Sequence, residues 1–172
     1  RQRFTLYLYN MPVKLGNTNI SKLYLGDTEV KKLYLGSVLI YENQDVNSFI
    51  TTWRTTTPNE TITIPTNSSY TYNYNIITSD GQSFKGVTGE QKITFATAGD
   101  YDVFINIDDI IGGAFPSIYF NNTGDKDKII DIKQWGSNVW SSFNSSFYGC
   151  SNLTGSYTDV ANTVNVTDMS SM

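Results

Sequence analysis

Three pairs of aspartates, Asp100/Asp102, Asp108/Asp109 and Asp125/Asp127, are the residues of this chain whose type and spacing could support chemistry. Two carboxyl groups held roughly 5 to 10 Å apart can cleave a glycosidic bond, one as acid and the other as base or nucleophile. Adjacency in sequence does not set that separation. Asp100 and Asp102 alternate with Tyr101 and Val103, which places both on the solvent face of a strand. Asp125 and Asp127 lie in the run Gly124-Asp-Lys-Asp-Lys128, a charged loop short of the roughly six to eight spaced oxygens that calcium takes.

The remaining catalytic inventory is short. The chain has no histidine, and so lacks the usual general base and the commonest metal ligand. Its single cysteine, Cys150, can form no internal disulfide and reads as a small buried hydrophobe. No Gly-rich phosphate loop, nucleophile elbow or paired-cysteine zinc spacing occurs. These features predict a chain that is not an enzyme and carries no metal or cofactor.

Composition and charge narrow the partners. A chain of 172 residues, 39% hydrophobic and only 16% charged, suffices for one good-sized domain or two small ones. No apolar run is long enough for a spanning helix, and residues 1–11 lack the apolar stretch of a signal peptide, so neither membrane insertion nor secretion by that route is expected. Residues 1–42 hold six Lys/Arg against three Asp/Glu, whereas residues 43–172 hold six against thirteen. An acidic, Asn/Ser/Thr-rich body predicts no nucleic-acid partner, because a phosphate backbone calls for clustered positive charge.

The elements that must position any site begin with a decapeptide written almost three times: Leu15 to Tyr24, Leu25 to Tyr34, and Leu35 to Tyr41. Each copy pairs a Gly-Asn/Asp-Thr turn signal with about six strand-favouring residues, which predicts a small β-meander of near-identical strands. Three short strands expose more apolar surface than they cover, so residues 1–42 read as an attachment module, with Ile20, Leu23, Tyr24, Val30, Leu33 and Tyr34 as its contact residues. Lys22, Lys31 and Lys32 would protect its sheet edges.

Residues 43–46 form a polar linker. Beyond it, Phe49 to Trp53, Thr61 to Ile64, Tyr70 to Ile76 and Asp100 to Ile107 read as strands, the last three by their period-two alternation, and Pro, Asn, Gly and Asp clusters divide them. That is the pattern of an antiparallel sandwich over residues 47–115. Tyr70, Tyr72 and Tyr74 share one face of their strand. They could stack on sugar rings, as could Tyr119, but sheet packing accounts for the first three together. Asp80-Gly81, with Phe95, Ala98-Gly99, Tyr101 and Val103, resembles the two characteristic stretches of PKD-type immunoglobulin-like domains, without their tryptophan.

From Gly112 to Pro116 the character changes. Ile118 to Phe120 and Ile129 to Ile132 read as short strands, and Trp140, Phe143, Phe147 and Cys150 fall on one face of a short helix. Val166, Met169 and Met172 repeat the frame of Trp140, Phe143 and Ser146 at a constant offset. Phe147 to Leu153 and Asn165 to Met172 resemble the repeats of BspA-like leucine-rich-repeat surface proteins, so residues 116–172 are expected to begin such a solenoid with short helices. A solenoid stopping there would expose its core, so either the natural polypeptide continues past Met172 or another chain covers the end.

Lys14 to Gly26 resembles the amino-terminal segment of structural proteins from tailed-bacteriophage virions, including head and tail fibres. The resemblance implies a mainly β, non-enzymatic fibre or decoration protein on the virion exterior, docking on other capsid or tail proteins. It also implies self-association and a distal region facing a host surface glycan or protein. A BspA-like adhesin on the bacterial cell surface, binding host or neighbouring-cell proteins, is the alternative.

Overall fold

The computed structural model describes residues 45–107 and 110–172 in full, together with the strand segments between Lys14 and Glu42. The described residues are mainly β and contain no helix. The chain divides into two compact units, residues 1–45 and 46–172.

In the first unit the strands pair as three separate hairpins: β1 (Lys14–Leu15) with β2 (Thr18–Asn19), β3 (Leu23–Leu25) with β4 (Thr28–Val30), and β5 (Lys32–Leu35) with β6 (Val38–Glu42). The innermost pairs are Leu15↔Thr18, Leu25↔Thr28 and Leu35↔Val38, each flanking the Gly-Asn, Gly-Asp or Gly-Ser dipeptide. This corrects the expected meander: a hairpin forms at the start of each copy, its first strand ending on the copy's first leucine, and among the described residues the three pairs form three separate sheets. Two-residue connections of this composition match the twist of antiparallel strands and close a hairpin locally.

The second unit contains β7 (Phe49–Thr55), β8 (Glu60–Ile64), β9 (Tyr74–Thr78), β10 (Ser83–Val87), β11 (Gln91–Phe95), β12 (Gly99–Asn106), β13 (Ile129–Gln134) and β14 (Thr154–Gly155). Six of them form one sheet in the order β10-β9-β12-β7-β13-β14, while β8 and β11 form a second, two-stranded sheet. All pairings are antiparallel except β13 with β14. The expected division at 115/116 falls inside this unit, because β13 pairs with β7.

One core serves both sheets. Ile62 and Ile64 of β8, Ile93 and Phe95 of β11, and Val103 and Ile105 of β12 are buried at alternate positions, and Phe49 and Trp53 join them from one face of β7, which is buried throughout residues 49–53. The alternation works because successive strand side chains point to opposite faces, so each strand delivers every second residue to the same interior. Burying each large apolar side chain contributes about 1.5–3 kcal/mol. Phe49 also meets Trp140 edge-on at 4.9 Å and stacks on Trp135 at 5.6 Å, tying the sheet to the chain that follows it.

Three local expectations are corrected. The strand near the tyrosines begins at Tyr74: Tyr72 and Tyr74 are buried, but Tyr70 is 36% exposed and does not share their packing. Tyr72 Oη donates to the carbonyl of Ser117 and Tyr74 Oη to that of Gly89, which satisfies both phenols as they enter the core. Ile118 and Phe120 are buried, but the strand expected over Ile118 to Phe120 does not form; Phe120 N donates to Ser146 O instead.

The third correction is the helix over Trp140–Cys150, which is a series of turns. Several of its backbone donors leave the local chain: Ser141 N bonds Pro116 O, Phe143 N bonds Asp168 O and Ser145 N bonds Ser170 O, while Ser146 N and Cys150 N bond Phe143 O and Phe147 O three residues back. Ser142 Oγ accepts Asn144 N, and Ser145 adopts a left-handed φ of 52°. Serine and asparagine offer the backbone such alternatives to helical bonding. Trp140 and Phe143 are nonetheless buried, since turns closed three residues apart return side chains to the same side much as a helix does.

Successive passes of the chain after Pro116 lie beside one another. Phe120 N bonds Ser146 O and Asn122 N bonds Tyr148 O; one pass later the bonds of Phe143 to Asp168 and Ser145 to Ser170 repeat the arrangement. Asp131 of β13 pairs in parallel with Thr154 of β14, and Val139 bridges Asn162 in parallel.

Candidate functional site

The described aspartates that could have done chemistry are bonded into the framework. Asp100 receives a bidentate pair from Arg54 at 2.7 and 2.8 Å, directly across the β12/β7 register, and the guanidinium holds its carboxyl below the usual range. Both groups are about half exposed, so solvent screens the pair and it adds little to stability. Asp102 accepts the hydroxyl of Thr52 and the ammonium of Lys133, each at 2.8 Å. These five residues lie across β12, β7 and β13, where they bond the strands to one another.

Asp125 belongs to a second arrangement. Lys128 Nζ lies 2.9 Å from Asp125 Oδ1 and 3.0 Å from Glu60 Oε1, and it donates to Thr61 O at 2.7 Å. Asp125 Oδ2 accepts Thr63 N. The lysine thereby pins the 125–128 turn to β8. Asp127 is turned toward Lys126 and Ser151. Among the described residues, no group of three His, Cys, Asp or Glu side chains is placed to hold a metal ion. Asp108 and Asp109 lie outside the described residues.

Of the expected attachment residues, Ile20 lies outside the described residues. Leu23 and Val30 are Cα partners in the second hairpin, Tyr24 pairs with Glu29, and in the third hairpin Leu33 pairs with Tyr41 and Tyr34 with Leu39. Their side chains lie outside the description. The expected carbohydrate face is divided: Tyr72 and Tyr74 belong to the core, leaving Tyr70 exposed and Tyr119 half-buried.

A different candidate surface emerges at the last pass of the chain. Trp135, Phe143, Tyr157, Val160, Met169 and Met172 line a shallow apolar concavity of about 290 Å³. Trp135 forms its floor, meeting Tyr157 edge-on at 5.5 Å. Val160 and Val164 are 84% and 77% exposed, and Met169 and Met172 are more than half exposed. Clustered exposed apolar side chains mark contact surfaces more often than isolated ones. Of this group, the sequence singled out Phe143, Met169 and Met172 through their common spacing; Trp135, Tyr157 and Val160 carry no such signal.

Asp159 was also missed by sequence reading. Its carboxylate accepts the backbone N–H groups of Trp135 and Gly136, thereby fixing the concavity's floor. No protein-family model, curated protein or solved structure is significantly similar to the chain.

Proposed function

We propose that the chain is a non-enzymatic structural protein of a bacteriophage particle, a head or tail fibre or decoration protein that attaches through residues 1–42 and presents residues 46–172. The observation that carries this reading is the organisation of the decapeptide repeats. They give three hairpins with equivalent innermost Cα pairs, Leu15↔Thr18, Leu25↔Thr28 and Leu35↔Val38, within one of the chain's two compact units. Repeated hairpins of this kind can offer the same contact several times, and multiple weak contacts raise attachment strength without any one being strong.

Within residues 46–172, a PKD-like sandwich is supported by the β9/β10 hairpin around Asp80-Gly81 and by the two sheets sharing one core. The alternative reading, a BspA-like cell-surface adhesin, rests on the later chain: the recurring hydrogen bonds between successive passes are what a leucine-rich-repeat solenoid would contain.

Peptide mass spectrometry on density-purified particles and on cell-envelope fractions separates the two. Peptides of residues 1–42 and 116–172 at stoichiometric abundance in particles support the virion assignment, and deletion of residues 1–42 should then abolish incorporation while leaving residues 46–172 folded. Peptides confined to envelopes reject it in favour of the adhesin.

A further inference from the structure

We propose that the apolar face built by Tyr157, Val160, Met169 and Met172 is a stacking surface whose occupant is one more pass of chain of the same design, laid parallel on residues 157–172. The inference is independent of whether the protein belongs to a particle or to a cell surface.

The backbone carries it first. Asn121, Ser145 and Ser171 adopt left-handed φ values of 48°, 52° and 53°, a conformation uncommon outside glycine. Asn121 N donates to Ser145 O, and Ser145 N donates to Ser170 O beside Ser171. A left-handed residue therefore recurs in three successive passes, alone at Ser145 and Ser171 and, at Asn121, followed by Asn122 at 58°, and at both of these contacts the earlier pass donates to a carbonyl of the later one. Asn144 Nδ2 adds a side-chain rung to Ser170 Oγ at 2.6 Å.

Burial then identifies which copy lacks its cover. Trp140 and Phe143 are 0% and 2% exposed, and the pass containing Asn162, Asp168 and Ser170 bonds directly alongside them. Met169 and Met172 stand in the frame of Phe143 and Ser146 but are 51% and 55% exposed. Their side chains differ from the buried ones in what lies next to them, not in their place in the turn. A segment that repeats the preceding pass would meet the face with matching apolar residues and would offer carbonyls where Ser146 and Asp168 offer theirs. A parallel pass would also extend the sheet beyond β14, which already joins β13 in parallel.

The test appends a second copy of residues 147–172 directly after Met172, so that the register continues unbroken, and compares it with the 172-residue chain and with a scrambled extension of equal composition. Peroxide oxidation of Met169, followed by mass spectrometry, reads coverage: the repeat extension should slow it by at least about fivefold and the scrambled one should not, because thioether oxidation follows exposure. Amide exchange at Met169 to Met172 provides a readout independent of side-chain chemistry and should slow in the same variant. Equal oxidation and exchange in all three proteins would overturn the proposal. A 172-residue chain that dimerises in sedimentation, with Met169 protected in the dimer, would also overturn it by giving the face to a second copy.

Discussion

Asp159 Oδ2 accepts the backbone N–H groups of Trp135 and Gly136 at 3.0 and 2.8 Å, so one carboxylate holds the end of β13 from 23 to 24 residues downstream. Asp159→Ala leaves both donors without this acceptor, beside a Trp135 ring that is 6% exposed. The expected loss is about 1–3 kcal/mol, and Asp159→Asn should lose less because one acceptor oxygen remains. Urea titration followed by tryptophan fluorescence checks this, with a lower midpoint and an unchanged slope as the expected result.

Glu60 couples stability to acid. Its carboxyl is held at about 2 by the backbone N–H of Thr56, then by the Lys128 ammonium and the Thr57 N–H, against an ordinary value of 4.5. Between those values the unfolded chain binds a proton that the native chain does not, so the contribution is present above the ordinary value and is lost as pH falls toward the native one. Wild-type stability should therefore decline from about pH 5 downward, and Glu60→Gln should flatten that slope while lowering stability at neutral pH. Identical pH slopes in chemical denaturation of the two proteins would contradict the assignment.

Two glycines with similar backbones should respond differently to alanine. Gly136 has a φ of 68°, and a Cβ there would run into the carbonyl oxygens of Asn47 and Ser48. Gly124, at 62°, would meet nothing within 4 Å. Gly136→Ala should cost about 2–4 kcal/mol, whereas Gly124→Ala carries only the conformational penalty of about 1 kcal/mol. Thermal melts of the two variants measure the difference directly.

Burial pushes the Cys150 thiol up to about 12, with Lys126 opposing only in part. The thiolate is the reactive species, so native protein near pH 8 should react with a disulfide reagent at least about tenfold more slowly than protein in guanidinium. Equal rates would show that the side chain is not held as described.

The sequence by itself determined the elements whose signal is local. Alternation located β8 and β12, the Phe49 to Trp53 segment lies within β7, the apolar run at Ile129 to Ile132 lies within β13, and the Asp80-Gly81 turn falls between β9 and β10. The Gly-Asn and Gly-Asp turn signals of the decapeptide marked where the chain reverses between Leu15 and Thr18 and between Leu25 and Thr28, although not that the strands pair as separate hairpins. The spacing of Phe143, Met169 and Met172 likewise marked part of the apolar face.

Only the tertiary structure decided where the backbone donors of residues 140–150 go. Apolar spacing of three and four residues fits both a helix and a succession of turns; the choice fell to carbonyls of Pro116, Asp168 and Ser170, which no local window contains. The same holds for Tyr70, which shares the period of Tyr72 and Tyr74 but not their neighbours, and for Asp159, whose carboxylate has no meaning until the chain returns to Gly136. Periodicity specifies which way side chains face, whereas hydrogen-bond partners distant in sequence specify the backbone that carries them.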